Sequence, residues 1–382
     1  MSGVRVLRSH RSTSPVIQCR TAALHDYEQI HALERRYNMG SKSYEEWSHM
    51  WVNNPVCKRL PHLPIGWVLE DNGNQIVGSL GSVPFGFELD SRQLIAGTSS
   101  GWVVDERYRG YAPLLLDRFL SQPDVDLYLC VSPNSQAQPA VALECDRVPV
   151  GVWDRAAFWI TNYQGFARSV LAKREVRLRT LLRYPLATVL RLLSALGRDG
   201  LKSAMRRLED YDIRTCTDFD DRFDDFWGTV RARTPHRLLA SRTREVLEWH
   251  FKHPLARRTA WVSTVCQDGR LVAYAILCRN DVTTIGLRCV RLLDYQSLDG
   301  DASLLLPILA ETLERCRRDG TAMLESIGWR LGSGDLMDRI APYTRTMRSW
   351  HYFYKAANPA LASTLEDRAV WSPSLYDGDA CI

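Results

Sequence analysis

Two stretches of this chain carry the same signals in the same order, and this constrains the fold more than any other feature of the sequence. In both stretches a helical pattern containing a tryptophan closes at a proline: Trp47 with Pro55, then Trp249 with Pro254. In both, a strand pattern containing a tryptophan then leads to a glycine turn: Trp67 with Gly73, then Trp261 with Gly269. Each match is weak alone, but their shared order predicts an internal duplication of one α/β unit.

Hydrophobic periodicity predicts the elements of each unit. Apolar runs on both sides of Asp71-Asn72-Gly73 are a strong signal for a β-hairpin. In the first unit we predict strands at Val16–Arg20, Gly66–Glu70, Gln75–Pro84, a stretch ending at Val104, and Asp126–Ser132, with helices at Leu24–Tyr37, Tyr44–Trp51 and Pro113–Leu120. In the second we predict a strand at Arg288–Tyr295, a helix at Ala302–Cys316 and a strand at Thr321–Ser326.

The net charge of +5 is concentrated in one segment. Residues 168–207 hold eleven Arg or Lys and two acidic residues, a net +9, so the rest of the chain sums to −4. Leucines recur there at helical spacing, and Pro185 predicts a break into two helices. We interpret the segment as an inter-domain connector. The alternative is a basic amphipathic surface for anionic lipid or a polyprenyl-phosphate-linked acceptor. Nucleic acid is the least favoured partner, because aromatic residues are sparse there.

The ten cysteines contain no C-x-x-C pair, which indicates a reducing, cytoplasmic location. The first fifteen residues lack the apolar run of a secretory signal, and no apolar stretch is long enough to span a membrane. His250 and His253 resemble a metal-binding pair, but no third ligand accompanies them, so we predict no metal site. We expect a cytoplasmic protein, with contact to the inner face of the membrane as the alternative.

The strongest chemical motif runs from Trp102 through Val103 and Val104 to Arg107, Arg109, Gly110, Tyr111, Ala112 and Pro113. An apolar strand ends, a short loop turns, and an apolar helix begins. The small residues of R-x-x-G-x-A permit close approach of a ligand to the backbone, and the helix start directs unpaired N–H groups towards it. With two arginines beside it, this arrangement predicts a cradle for a pyrophosphate.

These residues resemble the acyl-CoA loop of the GNAT (Gcn5-related N-acetyltransferase) superfamily, whose signature is Gln/Arg-x-x-Gly-x-Gly/Ala after a strand. Over nearly the whole length, the order of motifs is similar to tandem GNAT proteins associated with bacterial exopolysaccharide and cell-envelope gene clusters. The resemblance implies an α/β (α+β) fold with two GNAT-like domains, each a mixed, mostly antiparallel twisted sheet flanked by helices. We divide the chain into a flexible tail (1–15), a domain with the acyl-CoA loop (16–165), the connector (166–210) and a degenerate GNAT-like domain (211–382).

The resemblance also implies a mechanism, in which an amine attacks the thioester of acetyl-CoA or another acyl-CoA directly. The backbone of Val103 and Val104 would pair with the pantetheine amides, the loop N–H groups would hold the pyrophosphate, and Asn134 would join the cofactor site. The second unit has the acidic loop Gln296–Asp301 at the equivalent place, which predicts one cofactor per chain.

The catalytic groups of the family are missing from their usual places. Residues 94–104 contain no carboxylate, and the usual tyrosine beyond the fifth strand is replaced by Glu144 and Cys145. As candidates for proton transfer we name Cys145, Tyr163 and Asp294. An ordered water and a packing or capping role for these residues remain open alternatives.

The leading hypothesis is therefore an acyl-CoA-dependent N-acyltransferase, with acetyl as the expected group. It would act on an amine of a small molecule or lipid-linked sugar, a polysaccharide or envelope precursor. Two alternatives remain. One is a transferase resembling the Fem family, which uses aminoacyl-tRNA, and the other is a non-catalytic CoA-binding protein.

Overall fold

The computed structural model describes residues 17–40, 42–150, 153–196, 201, 211–328, 334–347 and 351–378. The predicted tail at 1–15 and residues 197–200 and 202–210 of the predicted connector lie outside these ranges. Within them the chain forms an α+β fold with two mixed, mostly antiparallel sheets flanked by helices.

Strands and helices are numbered separately along the chain. The strands are β1 (Gln18–Thr21), β2 (Gly66–Glu70), β3 (Ile76–Leu89), β4 (Arg92–Val104), β5 (Leu127–Val131), β6 (Asp146–Arg147), β7 (Arg155–Ile160), β8 (Asp212–Cys216), β9 (Leu239–Ala240), β10 (Ala260–Gln267), β11 (Arg270–Arg279), β12 (Cys289–Ser297), β13 (Met323–Ile327), β14 (Tyr343–Thr346) and β15 (Tyr352–Ala356). The α-helices are α1 (Tyr27–Arg36), α2 (Tyr44–Val52), α3 (Pro55–Arg59), α4 (Ala112–Leu120), α5 (Gln138–Glu144), α6 (Tyr163–Lys173), α7 (Arg179–Leu196), α8 (Arg222–Arg233), α9 (Arg244–Ala256), α10 (Leu305–Arg318), α11 (Gly334–Ile340) and α12 (Pro359–Leu365).

The two sheets have the same strand order, with one strand exchanged between them. The first runs β1-β2-β3-β4-β5-β15-β6, with β9 paired to β3, and the second runs β8-β10-β11-β12-β13-β7-β14. The position after β5 in the first sheet is taken by β15, from the end of the chain. The corresponding position after β13 is taken by β7, from the first half. The shared order supports the predicted duplication. Because of the exchange, each sheet contains one strand from the other of the two domains that we predicted.

Local signals explain most of the element boundaries. The predicted hairpin forms between β2 and β3, where the Asp71 carboxylate accepts hydrogen bonds from the N–H groups of Gly73 and Gln75. Ser43 and Glu46 form a capping box at the start of α2. The side chain of Asn54 caps α3, which has Pro55 in its first turn.

In each sheet two neighbouring parallel strands separate at an equivalent point. Leu80 of β3 faces two residues of β4, Gly101 and Trp102, because the register shifts there, and Gly101 has a φ of 61°. The parallel pairing of β4 with β5 ends at Thr98 and Leu129, so the rest of β4 is unpaired on that side. In the second sheet Leu293 of β12 is the extra residue, and pairing with β13 ends at Leu292 and Ser326.

The connector differs from the sequence prediction. Helix α7 continues through Pro185, and the break comes earlier, between α6 and α7. A proline removes one helical hydrogen bond, and packing of α7 along α6 accompanies the unbroken helix. One face of α7 and the turn before it expose large apolar side chains: Leu178, Leu181, Leu182, Tyr184, Val189 and Leu192. Within the described ranges, no helix is both long and apolar enough to cross a membrane.

Candidate active site

The predicted pyrophosphate cradle follows β4 directly, as a 3₁₀ helix at Glu106–Tyr111 that leads into α4. The short loop that we expected there is thus a 3₁₀ helix. Some of its donors are occupied, because the N–H of Tyr108 donates to Asp105 and that of Ala112 donates to Arg109. Gly110 is exposed, and a Cβ there would meet no atom within 4 Å. A ligand could therefore approach the backbone closely at this glycine.

The start of the cradle is held by α1. Arg36 forms an ion pair with Asp105 at 2.8 Å, and the Tyr37 hydroxyl accepts a hydrogen bond from the N–H of Glu106 at 3.0 Å. Arg109 pairs with Glu106, and both side chains are exposed, so this bond competes with water. For Arg107 no ion pair is found in the part of the chain that the structure describes. Its guanidinium is available to an anionic ligand.

The opening between β4 and β5 lies beside the cradle. The backbones of Val103 and Val104 pair with β3 on one side only, and the side of β4 that faces the opening is free of β5. Two buried hydroxyls near the point of divergence, those of Thr98 and Ser132, have no hydrogen-bond partner among the described residues. Buried polar atoms seldom lack partners, so these two indicate where a polar ligand would be bound. An extended chain with amide groups, such as pantetheine, fits this opening.

A carboxylate that our sequence reasoning missed lies at the bulge of β4. Glu34 of α1 lines a cavity of about 160 Å³, which we call the first cavity, together with Ser100 and Gly101. A Cβ at Gly101 would lie 2.7 Å from Glu34 Oε1, so a side chain there would displace this carboxylate, and the φ of 61° also favours glycine. Burial raises the pKa of Glu34, and the nearby positive charge of Lys42 partly opposes this. No hydrogen bond to the Glu34 side chain occurs within the described ranges. These are the properties of a general base.

A weak signal for Glu34 was present in the sequence. Tyr27, Ile30 and Glu34 are spaced so that they share one face of α1, and the first two are buried. A glutamate in such an apolar stripe is unusual. The sequence alone could not show that the stripe faces the bulge of β4, because that contact depends on tertiary packing.

The three catalytic candidates named from the sequence lie elsewhere or serve other roles. Tyr163 begins α6 after β7, so it is at the second sheet, and its ring contacts the guanidinium of Arg191 at 5.7 Å. Cys145 is half-buried at the end of α5. A hydrogen bond with Cys130 and burial raise its pKa far above that of an ordinary thiol. It therefore stays protonated.

Asp294 is fully engaged in a buried ion network. Arg242 donates to both of its carboxylate oxygens, at 2.8 and 3.1 Å, and also to Asp377 at 3.0 Å. Burial disfavours a charged guanidinium, but the two aspartates raise the pKa of Arg242 well above its ordinary value. Asp294 thus ties β12 to the end of the chain instead of facing a cleft.

The remaining predicted groups have local structural partners. Asn134 accepts hydrogen bonds from the N–H groups of Gln136 and Ala137, both at 2.9 Å, in the turn before α5. In the acidic loop of the second unit, Asp301 caps a short 3₁₀ helix and Asp299 pairs with Arg233. Among the described residues, no group of three or more His, Cys, Asp or Glu side chains is arranged to hold a metal ion.

Comparison with known proteins relates part of the chain to a known family. Residues 197–335 match the model of the acetyltransferase (GNAT) domain. This match covers most of the second unit, where residues 289–305, the counterpart of the strand and loop around Arg107, lack the R-x-x-G-x-A motif. This part of the chain is therefore similar to GNAT acyltransferase domains. No curated protein sequence matches the chain.

Solved structures share the fold over most of the chain. A GCN5-related N-acetyltransferase from Anabaena variabilis is 10% identical, with a TM-score of 0.53 over 90% of this chain and 73% of that one. N-myristoyltransferase from Saccharomyces cerevisiae with bound myristoyl-CoA is 11% identical, with a TM-score of 0.53 over 90% and 82%. A probable N-acyltransferase from Enterococcus faecalis is 10% identical, with a TM-score of 0.54 over 89% and 73%. At these identities the likeness concerns the fold, and it agrees with the predicted fold class.

Proposed function

We propose that this protein is an acyl-CoA-dependent N-acyltransferase whose active site lies at the bulge of β4. The observation that carries the proposal is the position of Glu34, a half-buried carboxylate against Gly101, beside the opening between β4 and β5. The thioester would lie in that opening, with the pyrophosphate at Arg107, Arg109 and Gly110. The acceptor amine would enter the first cavity.

In the proposed reaction Glu34 takes the proton of the acceptor ammonium. The free amine then attacks the thioester carbonyl, the new C–N bond forms, and the C–S bond breaks. The thiolate of CoA leaves, the nitrogen loses its second proton to water, and the thiolate takes up a proton from water, so that free CoA thiol and the amide are released. Backbone N–H groups at the bulge would stabilise the charge that develops on the carbonyl oxygen, since β4 has no neighbouring strand on that side.

For the acyl group and the acceptor, we propose acetyl transfer to an amine of a sugar or of another polysaccharide or envelope precursor. The support is the order of motifs shared with tandem GNAT proteins of such gene clusters. A non-catalytic CoA-binding role has less support than the sequence suggested, because Glu34 supplies the base that residues 94–104 lack. A Fem-like transferase would bind aminoacyl-tRNA in place of CoA, so titration with each donor separates the two.

Isothermal titration with acetyl-CoA tests the donor site. We expect binding below millimolar concentration and a loss of at least tenfold when Arg107 and Arg109 are both replaced by Ala. Gly110→Ala should weaken binding by a similar factor without lowering Tm, because the added Cβ meets only the ligand. Arg92→Ala, at the exposed far end of β4, is the matched control. Absence of binding, or equal binding by all variants, would contradict the proposal.

We also propose that residues 168–207 contact an anionic membrane, where a lipid-linked acceptor would be found. The apolar side chains exposed around α7 lie in the segment that carries the arginines, among them Arg174, Arg177 and Arg183. Cosedimentation with vesicles should increase with the fraction of phosphatidylglycerol and decrease with salt. Leu181→Ser with Leu192→Ser should reduce it. Equal binding to neutral and anionic vesicles would exclude this contact.

A further inference from the structure

A second cavity lies next to the first and is larger, at about 340 Å³. It lies between α2 of the first unit and the sheet of the second, at Leu293, the bulged residue of β12. Leu293 is the counterpart of Gly101, so the two cavities occupy equivalent places in the two units. Lys42 lines both cavities, so they are neighbours.

The lining of the second cavity contains four basic side chains. Lys42, Arg257, Arg279 and Arg291 line it, and Glu46 is its one carboxylate. Arg257 pairs with Glu46, while Arg279 and Arg291 pair with Asp281 and Glu325 outside the lining. Lys42 has no ion pair within the described ranges. The unpaired charge of Lys42 attracts an anion, and the arginines add N–H donors, since one guanidinium can bind two phosphate oxygens at once.

Unsatisfied polar atoms occur in the same lining. His250 is 4% exposed and neither ring nitrogen has a hydrogen-bond partner among the described residues; Nε2 of His253 has none either. Burial lowers the pKa of His250 to about 3, so its ring is neutral. A neutral imidazole keeps one N–H that can donate to an oxygen of a ligand. Polar atoms of this kind are rare in protein interiors and indicate an absent partner.

We infer that the second cavity binds a phosphate group of the acceptor, whose amine lies in the first cavity. The inference rests on the proposed function, since it names the acceptor as a phosphorylated amine. Lys42, placed between the cavities, would contact the acceptor between its amine and its phosphate. The phosphates of CoA would bind at Arg107 and Arg109, in the 3₁₀ helix that follows β4.

Calorimetric titration of the full chain tests this directly. The probes are glucosamine 6-phosphate, glucosamine and inorganic phosphate, in a buffer free of competing anions. We expect glucosamine 6-phosphate to bind at least tenfold more tightly than glucosamine. Arg279→Gln should remove at least tenfold of that affinity, and Arg279→Lys should lose less. Arg270→Gln, at the opposite and exposed end of β11, should bind as the unmodified protein does.

Three results would overturn the inference: equal binding of the two amino sugars, no effect of Arg279→Gln, or an effect of Arg279→Gln on acetyl-CoA that equals its effect on the phosphorylated sugar. The last would mean that the cavity holds a CoA phosphate. Because these are equilibrium measurements, phosphate binding without acetyl-CoA binding would support the cavity and contradict only the acyltransferase proposal. Thermal melting of each variant shows that the fold is retained.

Discussion

At the scale of single residues, the catalytic proposal depends on the ionisation of Glu34. A general base typically contributes about 10²–10⁴ in rate, so Glu34→Gln should lower kcat/KM by about that factor. Its affinity for acetyl-CoA should be unchanged. Because burial raises the pKa of Glu34, activity should be lost on acidification at a pH above the ordinary glutamate value of about 4.3. Rate profiles from pH 5 to 9 measure this. Glu28→Gln, on the exposed face of α1, is the control.

Glu34 also leads to a prediction about stability, in which removing the carboxylate is expected to be favourable. A carboxyl whose pKa is raised by folding stabilises the protein when protonated, and this contribution is lost as the pH rises through the raised pKa. Glu34→Gln should therefore increase Tm at pH 8, and the gain should shrink towards pH 4. A variant that is less active and equally stable at all pH values would show that the burial of Glu34 carries no cost.

At the scale of secondary-structure elements, the network around Arg242 joins three parts of the chain. It links the segment after β9 to β12 through Asp294 and to the 3₁₀ helix at Leu375–Asp377 through Asp377. Removing one partner of a buried ion pair leaves an uncompensated charge, at a cost of about 3–5 kcal/mol. Arg242→Leu should lower the free energy of unfolding by about that amount in denaturant titrations. Arg244→Leu, whose ion pairs are exposed, should cost less than about 1 kcal/mol.

This network also separates a structural role of Asp294 from a catalytic one. Asp294→Asn should lower Tm while kcat/KM per folded molecule and its pH profile stay as they are. A shifted pH profile at unchanged stability would restore Asp294 as a proton-transfer group.

The elements also show how far the sequence could predict the molecule. Hydrophobic periodicity, turn residues and helix caps are local signals. The hairpin at Asp71–Gly73 and the strand, loop and helix around Arg107 could therefore be predicted. The continuation of α7 through Pro185 could not be predicted. A proline inside a helix is locally unfavourable, and the unbroken helix accompanies packing against α6, which the sequence does not show. The bulge partner Glu34 was missed for the same reason. It is 67 positions from Gly101 in the chain and adjacent to it only after folding.

At the scale of the whole molecule, the exchange of β7 and β15 makes the two sheets depend on each other. The sequence could not show which sheet β7 or β15 joins, since both sheets offer the same pairing. Tyr352, Phe353 and Tyr354 of β15 are each less than 5% exposed. Strand β15 is thus part of the core of the first sheet.

This exchange predicts that the first unit does not fold alone. A fragment of residues 17–165 would leave β5 as an exposed edge, since its partner β15 is missing, and would leave β7 without β13. Exposed edge strands promote aggregation, so we expect this fragment to be insoluble or to lack a cooperative thermal transition.

Co-expression with residues 166–382 should yield a soluble complex of the two fragments, because each supplies the strand that the other lacks. Replacing Phe353 by Asp in the second fragment should abolish the complex, whereas Lys355→Asp, which alters a half-buried side chain of the same strand, should be tolerated. A folded, monomeric first fragment with one sharp transition would show that β15 is dispensable and that the units are independent domains.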